Sequence, residues 1–257
     1  MGAVHGDFDY ERHGQGYGMQ RRTDPRLAAL IQGALGSART VLNVGAGAGS
    51  YEPLDRYVVA VEPSAAMRAQ RPRWAPAVIA SAEHLPFDDG AFDASLATIT
   101  VHQWADPARG LRELRRVTSG PVVVLSFDGE ALDRFWLAEY APELIEAERR
   151  RYPALDSIAG QLGGSVQVQT VPIPSDCIDG FTEAFYARPE RLLDPAVRAA
   201  QSAWHFVEQA ARERAIERLR ADLDSGEWDR RFGALRTQAT FDGSLRLIVS
   251  RPDASVP

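Results

Sequence analysis

The sequence predicts an α/β fold: a doubly wound, mostly parallel seven-stranded sheet that ends in an antiparallel hairpin, with a helix-rich insertion forming a cap. Three observations predict it. Short, nearly continuous apolar runs recur through the first half, as in strands buried on both faces. Helical patterns alternate with these runs at the spacing of βαβ units. Near the end, Asp242-Gly243 joins two β-prone runs, which is a strong hairpin signal.

The elements follow in order. The first seven residues read as disordered. "TDPRLAALIQGALG" reads as a helix capped by Thr23 or Asp24, with Pro25 in its first turn and Gly36 at its end. Leu27, Leu30, Ile31 and Leu35 form its apolar stripe. "TVLNV" (40–44) and "YVVAVE" (57–62) are strands, and "SAAMRAQR" (64–71) is a short helix capped by Ser64. "AVIA" (77–80), "FDASLATI" (92–99) and "PVVVLSF" (121–127) are further strands, with the amphipathic helix 107–117 between the last two. Beyond Phe127 the rhythm changes: 131–150 and 189–225 are helix-rich, with a strand over 165–173. "ALRTQATF" and "SLRLIVSR" make the closing hairpin. The whole, 1–257, reads as a single domain in which 129–232 is an insertion covering the carboxyl ends of the strands.

Bulk properties narrow the function classes. The 257 residues are 45% hydrophobic, enough for a sizeable core. Net charge is −6 and every Lys/Arg position is arginine. An acidic chain without a basic stripe is a poor nucleic acid binder. The lone cysteine, Cys177, allows no internal disulfide and no thiolate cluster, so no metal is expected. No run approaches the roughly 18 apolar residues of a membrane span, and the N-terminus is no signal peptide, which points to a cytoplasmic protein.

"VLNVGAGAGSYEP" (41–53) runs from a strand into Gly45-x-Gly47-x-Gly49. Such a loop beyond a strand's carboxyl end holds a nucleotide-like ligand. Glu62, at the end of the next strand, can accept hydrogen bonds from both hydroxyls of a ribose. A dinucleotide-binding oxidoreductase is the competitor. It requires a third glycine where Ser50 stands, and a long helix facing a pyrophosphate. The span from Gly49 to Val58, interrupted by Pro53, has no room for that helix. An adenosine without phosphates fits better.

"VLNVGAGAGSYEP", "VVAVEPSAAM", "ASAEHLPFDDGAFDASLATITVHQW" and "RELRRV" follow one another as in class I S-adenosylmethionine-dependent methyltransferases. The chain resembles most the type 11 group, over about residues 8 to 128 and again in the closing hairpin. The resemblance implies S-adenosylmethionine as cofactor and S-adenosylhomocysteine as product. It implies that Gly45, Ala46 and Gly47 present backbone to the methionine part and ribose, and that Glu62 holds the ribose. Pro63 and Met67 would pack on the adenine, Ser81, Ala82 and Glu83 would meet its edge, and Ala97 and Thr98 would line the methionine part. Asn43 and Ser81 stand where the family often has aspartate. "GYGMQRRTDPRL" (16–27) is similar to a segment that lies over the cofactor in part of the group, which makes 8–36 a lid. Tyr17 and Arg21 would reach the methionine end, with Arg21 or Arg22 available to its carboxylate; the alternative is a solvated tail.

Methyl transfer needs alignment and exclusion of water, and a base only if the acceptor must lose a proton. His102, after the fourth strand, is the first candidate base, and Tyr17 and His205 are weaker ones. The alternative for His102 is capping the next turn or packing on Trp104. Most of the insertion's aromatics are expected to form its own core, since helices of this length must bury something; two or three line an acceptor pocket, with Phe135, Trp136, Phe181, Tyr186 and Trp204 as candidates beside Trp104. "ERRR" (148–151) reads as a solvated helix face. The chain is thus read as a methyltransferase acting on a small organic acceptor. The alternatives are a nucleotide-dependent oxidoreductase and a non-catalytic S-adenosylmethionine-binding protein.

Overall fold

A computed structural model describes residues 8–14 and 16–253; the expectation for the first seven lies outside them. Two helical turns, α1 (Tyr10–His13) and α2 (Tyr17–Gln20), lead into α3 (Pro25–Leu35). Asp24 caps α3 by accepting from Arg26 N at 3.0 Å. Its buried face is Leu27, Ala28, Ile31 and Leu35. Leu30 is exposed, because the stripe turns through Ala28 instead.

Then β1 (Thr40–Val44), β2 (Tyr57–Val61), α4 (Ala65–Arg68), β3 (Ala77–Val78), β4 (Ala94–Thr98), α5 (Pro107–Arg116) and β5 (Val122–Phe127) alternate as expected. After β5 come α6 (Pro142–Arg151), α7 (Leu155–Leu162), β6 (Ser165–Thr170), β7 (Ile173–Pro174), α8 (Pro195–Ala199), α9 (Gln209–Asp224), α10 (Glu227–Phe232), β8 (Thr240–Phe241) and β9 (Leu245–Arg251).

The main sheet has seven strands in the order β3-β2-β1-β4-β5-β9-β6. Only β9 runs antiparallel to its neighbours. Successive strand residues serve opposite faces. Val123 and Leu125 join a core with α3 and the cap, while Val122 and Val124 join one with Leu111, Leu114, Ile158 and Leu162 of α5 and α7.

Two boundaries differ from the sequence reading. Asp242-Gly243 does not close a hairpin: β8 pairs with β7 in a separate two-stranded sheet, and residues 233–237 wind into a 3-10 helix. Glu183 occupies the turn, where its carboxylate takes both the amide and the hydroxyl of Ser244, so the antiparallel end is built by long-range pairing of β9 with β5 and β6. The stretch 129–232 is likewise not all insertion. Its α7 packs on α5 and its β6 forms the sheet edge, so the cap is made of two segments flanking residues 155–170. The 165–173 run is one β-prone pattern in sequence but two strands in space, broken at Val171-Pro172 because proline offers no amide to the ladder. No helix among the described residues is long and apolar enough to cross a membrane.

Candidate functional site

The carboxyl ends of β1, β2 and β4 meet at the glycine loop. Gly45 has φ 67°, and its amide and that of Ala46 donate to Val61 O at 2.9 and 3.0 Å, tying the loop to β2. A Cβ on Gly45 would stand 2.1 Å from Thr100 Oγ1, so both torsion and space require glycine. Glu62, one residue past β2, is 7% exposed. Its Oε2 accepts from Gly47 N at 2.8 Å and its Oε1 from Ser64 N at 2.9 Å. Each oxygen keeps acceptor capacity. Burial pushes the carboxyl's pKa up, so further donors at this carboxylate are favoured.

Asn43 lies fully buried beneath the loop, where its Nδ2 donates to Glu52 Oε1 at 2.9 Å, and Glu52 pairs with Arg71 at 2.9 Å. That contact accounts for the amide. An aspartate would set two carboxylates against each other.

Three adjoining cavities follow this edge. Phe8, Pro63, Ser81, Ala82, Glu83 and Trp104 line the first. The loop, Tyr17, Arg21, Met67, Thr98 and Ile99 line the second. The third lies under the cap, between His102, Phe127, Glu148, Tyr152, Phe181 and Glu183. Glu62 belongs to the first two, and Tyr10 and Gln103 to all three. Gln103 Nε2 donates to Tyr10 Oη at 2.6 Å. Ile99, at the tip of β4, has φ 51°, which is strain for a β-branched residue, and it borders both the second and third cavities.

The first two cavities present an apolar slot, then a carboxylate, then a backbone loop, the order in which adenine, ribose and a short tail would meet them. Among the described residues, Arg21 is the one basic side chain lining either, and it is already engaged. Its Nε donates to Asp179 Oδ1 at 2.6 Å and its Nη1 to Tyr17 Oη at 3.0 Å. From Gly49 to Tyr57 the chain makes turns and no helix. No helix N-terminus therefore faces a pyrophosphate. An adenosine without phosphates fits these residues and a dinucleotide does not.

The comparisons agree. The family described as "Methyltransferase domain" matches residues 42–124. A crystal structure from Anabaena variabilis, named "Putative methyltransferase from antibiotic biosynthesis pathway", superposes with TM-score 0.84 at 30% identity, covering 90% of this chain and 98% of that one. The chain belongs to the class I S-adenosylmethionine-dependent methyltransferases, type 11 group. An uncharacterized methyltransferase of Mycobacterium tuberculosis is 41% identical over 91 residues, 32% of this chain and 36% of that one. A ubiquinone/menaquinone biosynthesis C-methyltransferase of Citrifermentans bemidjiense is 37% identical over 59 residues, 22% and 25% of the two chains. These matches thus span about a third and a quarter of the curated relatives.

Within this methyltransferase fold, the sequence-predicted residues divide. Gly45, Ala46, Gly47, Glu62, Thr98, Tyr17 and Arg21 line the loop cavity; Pro63, Ser81, Ala82 and Glu83 line the first cavity, where the sequence reading places the adenine. Met67 lines the loop cavity, its methyl 3.3 Å from where a Gly47 Cβ would be, because α4 turns it inward. Ala97 is a correction. It is fully buried in the core on the α5 face, and its successors Thr98 and Ile99 reach the site instead. Arg21's fork is held by Asp179, and Arg22 is exposed.

On the acceptor side, Phe181 and His102 line the third cavity. Trp104 lines the adenine side instead, since it must lie against Gly110, where a Cβ would approach its ring to 2.5 Å. Phe135, Trp136, Tyr186 and Trp204 are cap core. Trp136 Nε1 donates to Tyr186 O at 2.9 Å, and Tyr186 Oη to Gln238 O at 2.6 Å. Trp204 Nε1 donates to Gln201 Oε1 at 3.0 Å. His205 is exposed, packing edge-on against Phe8 and tilted against His13.

His102 is buried and its Nδ1 has no partner. Burial, then Arg151 and Arg21, hold its pKa well below the usual histidine range, so the ring is neutral at physiological pH. Sequence reasoning missed Tyr10, Gln103, Tyr152, Glu148 and Glu183. Glu148 was assigned to a solvated face, yet it continues the buried face of Leu144 and Ile145, three and four residues on, and that spacing was the available signal. Burial pushes its carboxyl, and that of Glu183, up to about 7.

Proposed function

We propose that the protein transfers a methyl group from S-adenosylmethionine to a small organic acceptor, a metabolite or natural product, held under the cap. The observation that carries this reading is the third cavity under the cap, which shares Ile99, Tyr17 and Gln103 with the loop cavity. An acceptor there lies beside the tail of an adenosine ligand and away from water. When bound, S-adenosylmethionine supplies an electrophilic methyl group on a sulfonium. The chain's own residues bind, orient and exclude water: Glu62 accepts from the ribose hydroxyls, Pro63 and Ala82 flank the base, and the loop backbone meets the tail. The same reading takes the chain as one cytoplasmic domain with residues 8–36 as the lid, since Phe8 and Tyr10 roof the adenine-side cavity.

The test is thermal unfolding of wild type and Glu62→Ala with S-adenosylmethionine, S-adenosylhomocysteine or NAD. A ligand at about 100 times its Kd adds roughly 2.7 kcal/mol, or about 2–4 °C per kcal/mol for a chain this long. Stabilisation by the two sulfur compounds, reduced in Glu62→Ala, is the expected result. Stabilisation by NAD alone would restore the oxidoreductase reading. Formation of S-adenosylhomocysteine only in the presence of an acceptor separates an enzyme from a non-catalytic binder.

A further inference from the structure

We propose that the acceptor is a small cationic amine with an apolar body, anchored by Glu148; this rests on the methyl-transfer reading above. The argument is a balance of charge in the third cavity. Arg21 is matched by Asp179, and Arg246 by Asp128 at 3.0 Å. Glu148 and Glu183 both line the cavity, 7% and 1% exposed. Arg151 is the remaining guanidinium that acts on this cluster, and its Nη1 donates to Ser202 Oγ at 3.0 Å. Tyr10, Tyr17 and Tyr152 are held neutral by burial, and so is His102. Among the described residues, the basic side chains lining the cavity are Arg21, which Asp179 holds, and the neutral His102, so its lining offers no free cation to keep Glu148 ionised, and a buried charge without a partner is strongly unfavourable.

Glu183 is committed, accepting from the Ser244 amide and hydroxyl at 2.7–3.0 Å. Glu148 has the hydroxyl of Thr182, 3.1 Å from its Oε1, and a carboxylate can accept several more bonds. A second feature points to a ligand independently. The His102 ring lines the same cavity, more than nine-tenths buried, with Nδ1 unpartnered. The walls suit an ammonium: the Tyr152 ring lies 4.8 Å from His102 and 5.2 Å from Phe127, which is 5.5 Å from Phe181. An N–H bond of the bound ammonium breaks and its proton passes to a Glu148 oxygen. The electron pair left on nitrogen is what methylation requires, and the methylated product regains the positive charge.

The test uses the protein loaded with S-adenosylhomocysteine and three probes of one shape: phenethylamine, 2-phenylethanol and 3-phenylpropanoate, titrated by calorimetry. Phenethylamine should bind at least tenfold more tightly than either of the others. Glu148→Gln should lose at least tenfold in affinity for the amine and stay within twofold for S-adenosylhomocysteine, while Glu148→Asp keeps the amine preference. Equal or tighter binding of the alcohol or the carboxylate overturns the proposal, as does undiminished amine binding by Glu148→Gln. The wild-type ranking decides even if a variant fails to fold. Absence of S-adenosylhomocysteine binding is read separately in the same experiment and overturns the methyl-transfer reading, and this proposal with it.

Discussion

The glycine-loop half of the cleft and the cap half solve different problems. The loop half is built from backbone: Gly45, Ala46 and Gly47 amides tied to Val61 and Glu62 within a short stretch of chain. The cap half is built from charged and aromatic side chains brought together from residues 10 to 203. Local backbone geometry tolerates few sequences, whereas a pocket of side chains can be assembled in many ways. One half therefore specifies a shared ligand and the other a private one.

The largest expected effect tests whether the cap half depends on charge pairing. Asp179 is 1% exposed and receives Arg21 and the Tyr51 hydroxyl, the latter at 2.8 Å. Asp179→Ala should lower stability by about 3–5 kcal/mol, because an unpaired buried guanidinium remains. Urea unfolding measures it, and a loss below about 1 kcal/mol, the size of an exposed pair, would erase the contrast between the halves.

Next comes Glu148, where the sign runs the other way. Its carboxyl is raised from 4.5 to about 7 by burial. The folded chain therefore binds more protons than the unfolded chain between those values, and stability falls as pH rises through that window. Glu148→Gln removes that penalty. It should gain up to about 3 kcal/mol above pH 7 and close to nothing below pH 4. Thermal unfolding across pH measures the curve, and a gain independent of pH would deny that the carboxylate is poised.

In the loop half, Gly45→Ala adds a methyl against Thr100 at positive φ and should cost about 2–3 kcal/mol with loss of cofactor binding. Thr100→Gly in the same chain should return part of it, because space but not torsion is restored. The smallest effect is Asn43→Asp, about 1–2 kcal/mol destabilising, since it opposes Glu52. Glu52→Gln should repair it. An Asn43→Asp variant as stable as wild type would mean that Glu52 does not explain the asparagine.

The same contrast sets what the sequence discloses. The parallel strands, α3, α5, the loop and Glu62 were legible because apolar runs, caps and glycine spacing act over a few residues. The Asp242-Gly243 turn misled, because Glu183, far away in sequence, captured Ser244 and left β9 to pair with β5 and β6. Most aromatic residues of the cap form its own core, as the length of its helices requires, but the sequence carried no signal for which of them faces the cavity: Phe135, Trp136, Tyr186 and Trp204 are core and Phe181 lines it. Glu148 was hidden by its arginine neighbours, although its phase with Leu144 placed it inward.

Tyr10 borders all three cavities, and its hydroxyl accepts from Gln103, which borders all three as well. A change at either side chain therefore alters the walls of the glycine-loop cavities and of the cap cavity together, so the two halves of the cleft are coupled at this one contact.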